Sequence, residues 1–311
     1  MGWSEARRNK MDSVAETVVK NIPQINPDTT YKLDRPARAL LGWMNDERAK
    51  FFLSGGLKGI DKPEYAEKIL RTRESVNSRP AGLNQTEILE EPPDELQNHI
   101  NKLIAHPRSS IFFAEGWTVK IVDLPKVCAA QAAVFIDHTE ERVLGIDPSD
   151  INSIASVTIP IPSDQPELLP QFDEKRNTWI LSSSNPNVRI AGRFSSSTQN
   201  STVFGFIVQV VPSYMKVASL SDRYILCDGY HRAYDLIKRG ITKVPVLVRN
   251  VVAFEDIKFP PGILQRDAYL GDRPALLQDY HDESVSEEIR LPGGEKLIII
   301  QGLELVAAHA P

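Results

Sequence analysis

Cysteine is nearly absent: Cys128 and Cys227, far apart in the chain, are the only two among 311 residues. Two distant thiols supply neither a disulfide framework nor a cysteine-rich zinc site, and they fit a reducing, cytoplasmic location. No apolar run approaches the ~20 residues that a membrane-spanning helix needs. The opening Met1-Gly-Trp-Ser-Glu-Ala-Arg-Arg carries no apolar stretch followed by small residues, so no secretory leader is expected. An excess of positive charge is missing too. With 36 Lys and Arg against 41 Asp and Glu, the net charge is −5, which disfavours a broadly basic surface for nucleic acid or anionic membrane but permits a local basic patch.

What is present is ordinary for a globular chain: 41% of the residues are hydrophobic and 25% charged, which excludes a disordered or fibrous protein. The length is about twice the ~150 residues that serve as a prior for one domain, so two domains or one with a large insertion are expected.

The first hundred or so residues read as helices separated by Pro and Gly. Val14, Val18 and Val19 fall at helical spacing behind Asp12 and Ser13, and Pro23 stops the run. Asp34-Arg-Pro-Ala predicts a second helix, with Asp34 as N-cap and Pro36 in the first turn, reaching Leu53 before a left-handed exit at Gly55 and Gly56. Residues 63–73 and 94–105 predict two more. The same tetrapeptide returns at Asp272, where it again predicts a helix start rather than a domain repeat.

From residue 111 the pattern turns to strands. Residues 117–123 alternate apolar with polar, while residues 128–136 are apolar without a decisive period. Residues 147–171, 182–187 and 194–202, rich in Ser, Pro, Asp and Asn, read as mobile loops. Strands are expected at 203–211, 215–218, 223–227 and 244–248, with a helix from Tyr230 to Arg239 closed by Gly240. Residues 288–291 and 296–300 around Pro292-Gly-Gly predict a terminal hairpin.

One stretch carries chemistry: Arg223-Tyr-Ile-Leu-Cys-Asp-Gly-Tyr-His-Arg and the helix behind it. A buried strand runs into Asp228-Gly229, a tight turn where Gly can take positive φ, and a helix opens at once with His231 and Arg232 in its first turn. Such a turn is an anion site, because the N–H groups at Gly229, Tyr230 and His231 and the positive end of the helix dipole converge on it. Arg232 could grip phosphate oxygens in a bidentate manner, and His231 could donate a hydrogen bond or shuttle a proton. Asp228 would repel a phosphate unless a Mg²⁺ bridges the two or the carboxylate accepts a proton, which points to a metal-holding or general-base role.

Tyr224-Ile-Leu, Asp228-Gly-Tyr-His-Arg, residues 233–239 and Val244-Pro-Val-Leu-Val together resemble the signature of the ParB/sulfiredoxin superfamily. A weaker echo of its opening strand is Val119-Lys-Ile-Val-Asp-Leu-Pro-Lys-Val. The resemblance implies an α+β, ParB/sulfiredoxin-like mixed domain over residues 111–258 with a loop-rich insertion near 140–200. It would be preceded by a helical N-terminal region, 1–110, and followed by a C-terminal helix and β-hairpin, 259–311. It also implies a nucleotide ligand (ATP, ADP or CTP) with Mg²⁺, and phosphoryl transfer or nucleotide hydrolysis if the site is catalytic. Sulfiredoxin has a catalytic Cys where this chain has Tyr230, and Cys227 lies across the turn, so repair of sulfinic acids is disfavoured. A chromosome-partition role is disfavoured by the acidic charge and by the absence of a helix-turn-helix pattern after Val248. The turn looks most like that of the free-serine kinases, whose catalytic carboxylate near the first strand would correspond to Asp123 or Glu115.

Blander readings compete with these. The Asp228 turn could be a plain capped strand-to-helix junction. Gly55-Gly-Leu-Lys-Gly lacks a Gly-Lys-Ser/Thr ending and reads as a helix stop, and Asp137-His138 with Glu140-Glu141 reads as a solvated turn rather than a metal site. Two other functions stay open: a non-catalytic interaction protein that docks a partner through its N-terminal helices, and a DNA-associated factor with a local basic face.

Overall fold

Two clusters of buried, mostly aliphatic side chains form the core of the computed structural model, which describes residues 35–301 except 83–84, 86, 138, 163–167, 184–187, 258, 260–261 and 293–295. The helix expected over residues 12–20 lies outside the described residues. Those residues belong to one compact unit, Asp34–Pro311.

In chain order the first half contains β1 (Arg35–Ala39), α1 (Asp46–Leu53), α2 (Pro63–Ser78), β2 (Leu89–Glu90), α3 (Gln97–Ala105) and α4 (Pro107–Ala114). Next come β3 (Thr118–Asp123), β4 (Cys128–Ala129), β5 (Ala133–Phe135), α5 (Ile151–Thr158), β6 (Gln171–Asp173) and β7 (Thr178–Ser183). The rest includes β8 (Val188–Ser197), β9 (Thr202–Val210), β10 (Lys216–Leu220), β11 (Arg223–Asp228), α6 (Tyr230–Lys238), β12 (Lys243–Val251), a one-turn helix at Asp267–Leu270, β13 (Glu287–Leu291) and β14 (Lys296–Gln301). Helices and strands mix along the described residues, an α+β organisation.

The central sheet has the order β2-β3-β12-β10-β11-β4. β12 lies parallel to β10 and antiparallel to β3, while β10 is antiparallel to β11. Both faces are covered, and for that reason Val244 to Val248 reads as an unbroken apolar run rather than an alternation. Val122, Val244, Val246 and Val248 enter the main core, whereas Val119, Ile121 and Leu247 face a second cluster built with Leu96, Ile100, Leu103, Ala155 and Ile159. No helix among the described residues is long and apolar enough to cross a membrane.

Several sequence expectations are corrected. The segment after Asp34 is a strand: β1 sits between β13 and β5, and its buried Ala37 and Ala39 alternate with Pro36 and Arg38. The period is two, and a helix begins only at Asp46, where the Asn45 side chain accepts from the Arg48 N–H. At the second Asp-Arg-Pro-Ala no helix starts either, and the next turn is a 3-10 segment, Leu277–His281. The terminal hairpin does not form, because β13 pairs with β1 and β14 with β7. Within the expected loops, Ile151–Thr158 is helical, capped by the Asp150 carboxylate and buried through Ile154, Ala155 and Thr158. Phe194 to Ser197 belong to β8, whose long ladder with β9 forms a two-stranded ribbon. Strand pairs run across residue 110, β1 with β5 and β2 with β3, and across residue 258, β7 with β14.

The end of α2 is fastened to the 3-10 segment by charge. Arg79 spans Asp279 (3.0 Å) and Asp282 (2.9 Å) and lies over the Trp43 ring, and the Asp279 carboxylate also accepts from the Leu276 N–H. Asp279→Ala removes the buried member of this arrangement and leaves Arg79 half-paired, so unfolding free energy should fall by about 3 kcal/mol. Urea unfolding checks it; a loss under about 1 kcal/mol, the size typical of an exposed pair, would contradict it.

Candidate functional site

The turn between β11 and α6 is dictated by one contact. Gly229 has φ +104°, and a Cβ there would lie 2.5 Å from Met215 Cγ and 3.1 Å from Met215 Cα. Only glycine satisfies both the left-handed backbone and the close approach. Met215 is itself fixed, its N–H donating to Thr158 O and its carbonyl accepting from Leu247 N–H. The helix therefore starts at a set distance from β10, and no side chain caps its first turn.

The predicted residues separate into two groups. Asp228 and His231 are partly exposed at the turn. The His231 ring lies parallel to Phe135, 6.3 Å between centroids, and the Arg35 guanidinium, ion-paired with Asp137, sits over that same Phe135. Tyr230 and Arg232 instead point into the protein. The Tyr230 hydroxyl accepts from the Ala130 N–H at 2.9 Å and donates to the Leu226 carbonyl. Burial pushes this phenol well above its ordinary pKa, so Tyr230 can offer the site only its backbone.

Arg232 is the larger surprise. Its guanidinium donates from Nη1 to Val157 O (2.9 Å) and Ser213 O (2.8 Å) and from Nη2 to Ser213 Oγ (2.9 Å). At 7% exposure it is a buried strut joining α6 to the end of α5 and to the segment leading into β10. A cation that the sequence did not single out stands beside the turn instead. Lys216 opens β10 directly opposite Asp228 in the ladder, with Nζ 3.7 Å from Asp228 Oδ2 and 5.4 Å from the centre of the Phe112 ring. Its charge was visible in the sequence, but the strand pairing that brings it to the turn was not.

Neither candidate first-strand carboxylate reaches this place. Asp228, Lys216, Leu247 and Val119 form one row across four strands. Asp123 pairs with Lys243 four positions along β12 and is ion-paired with Lys126 at 2.8 Å. Glu115 precedes β3 on the opposite side of that row, 4.0 Å from Arg249. Cys227, on the inner side of β11, has its thiol pushed up to about 12 by burial, as has Cys128. Among the described residues no three His, Cys, Asp or Glu side chains gather as a metal cluster.

Compared with family models, curated proteins and solved structures, the chain matches none. The site's geometry presents a helix terminus without a side-chain cap, a lysine, an imidazole and one partly exposed carboxylate around a fixed glycine turn.

Two measurements test this description. Arg232→Ala strands the carbonyls of Val157 and Ser213, so ligand-free protein should lose about 2–4 kcal/mol of stability, whereas Lys216→Ala should cost under about 1 kcal/mol; equal melting temperatures for Arg232→Ala and wild type would refute the strut. Native protein at pH 8 should leave both thiols unreactive towards a disulfide reagent, with both titrating after denaturation. Rapid labelling of Cys227 in the folded state would disprove its burial.

Proposed function

We propose that the β11–α6 turn binds the phosphates of a nucleotide, within a ParB/sulfiredoxin-like α+β fold. The observation that carries this reading is the uncapped first turn of α6 with Lys216 beside it: backbone N–H groups, helix dipole and ammonium all favour an anion over Gly229. The succession β11, Gly229, α6, β12 is also the order that the resemblance implies. Lys216 replaces Arg232 as the phosphate-facing cation, and Arg232 acts indirectly by holding the Ser213 segment from which Lys216 emerges.

Asp228 fits a Mg²⁺ in a limited way. Its carboxylate is open, and Mg²⁺ commonly takes one or two protein carboxylates, with phosphate oxygens and waters completing the shell. Bound there, the ion would neutralise phosphate charge. The chain's own contribution is positioning: Gly229 sets the helix, Lys216 balances the carboxylate, and His231 would donate or carry a proton. A phosphoryl transfer or hydrolysis at this site would draw on such positioning and charge neutralisation. The alternative of a non-catalytic interaction protein is favoured by a different feature, the exposed apolar β8–β9 ribbon.

Thermal unfolding with CTP, ATP or ADP, each with Mg²⁺, tests the proposal. A nucleotide at a hundred times its Kd should add about 2.7 kcal/mol of stability, and Lys216→Ala should abolish the gain while leaving the ligand-free melting temperature close to wild type. If none of the three nucleotides raises the melting temperature, the proposal is wrong.

A further inference from the structure

The β8–β9 ribbon is built asymmetrically. Val188 is buried and Val208 and Val210 are half-buried at its base, but beyond them Phe204 is 72% exposed, and Ile190, Phe194, Val203, Phe206 and Ile207 are each about half exposed. Six such side chains present on the order of 600 Å² of apolar surface, at the top of what a monomer normally shows and approaching the ~800 Å² that each partner buries in a standard interface. Both faces contribute, Phe204 and Phe206 on one and Phe194, Val203 and Ile207 on the other.

The two edges differ. The β8 edge carries Arg189 and Arg193 and is broken by a register shift between Ile190 and Gly192, devices that discourage pairing. The β9 edge has neither. Thr202 to Val210 contains no charge and no proline, keeps an unbroken register from Thr202 to Ile207, and among the described residues pairs only with β8. A long, uncharged edge next to exposed aromatics is a template for another strand.

We propose that this edge pairs antiparallel with β9 of a second copy of the chain, making a four-stranded β8-β9-β9-β8 sheet across a two-fold axis. A symmetric seam is self-complementary. An axis normal to the ribbon keeps like faces together, so Phe204 and Phe206 of both copies pack side by side on one face and Val203 and Ile207 on the other. The arginines fall on the outermost strands, away from the seam. A lipid surface fits less well, because the tip, Ser195 to Thr202, is wholly polar and the unpaired edge would enter hydrocarbon unsatisfied.

Sedimentation velocity of the full chain from about 1 to 100 µM should show a monomer–dimer equilibrium. Phe204→Lys and Ile207→Lys, on opposite faces but both along the seam, should each weaken association by at least about tenfold. Arg193→Glu on the outer strand should leave it unchanged, and all three variants should keep the wild-type circular dichroism spectrum. A wild-type monomer throughout that range overturns the proposal. So does a dimer sensitive to only one of the two lysine variants, which would mean face-to-face stacking, or a monomer that co-sediments with phosphatidylserine vesicles. Because Lys216 variants do not touch the ribbon, failure here is distinguishable from failure of the nucleotide reading.

Discussion

A buried guanidinium holds the candidate site in shape. Arg232 reaches from the first turn of α6 to carbonyls at Val157 and Ser213, and these belong to segments that no strand pairing joins to the helix. Removing such a group from water is costly, and the cost is offset only where carbonyls are aimed at it. Once they are, three elements have one mutual arrangement. That arrangement backs the β10–β11 ladder, which sets Lys216 against Asp228, and the close approach of Met215 to Gly229.

The local grammar of the site was legible in the sequence. The strand ending at Asp228, the glycine turn, the helix over residues 230–238 and the Val-Pro-Val strand all occur where periodicity and turn chemistry place them. What the sequence did not disclose is which way each side chain points. An arginine three positions past the turn glycine looks the same whether it meets solvent or a buried carbonyl; the decision lies with Ser213 and Val157, distant in sequence. Lys216 was hidden for the same reason, since its role depends on a register between β10 and β11.

Elsewhere, tertiary pairing overrode local signals. Asp34-Arg-Pro-Ala has the makings of a helix start, yet the segment pairs with a strand on each side and buries Ala37 and Ala39 on one face, and that outweighs the capping signal. Pro292-Gly-Gly resembles a hairpin turn, but the strands on either side find different partners. The Ser-rich stretch at 194–202 conceals a ribbon because serine, though common in loops, leaves the backbone free to pair when phenylalanines recur at every second position of the opposite strand, as at Phe204 and Phe206.

The placement of β1 has a consequence for biosynthesis. Its partner β13 lies some 250 residues downstream, and Trp43 and Arg79 likewise reach for Arg273 and Asp279. At ribosomal speeds of about 5–20 residues per second, roughly ten to fifty seconds separate the emergence of the two strands. Throughout that interval the segment around Leu40 and Leu41, fully buried in the finished protein, lacks its cover. The nascent chain must then keep this early apolar segment soluble until nearly the last strand of its sheet has been made, which makes this a fold whose hazard lies in assembly more than in the finished state.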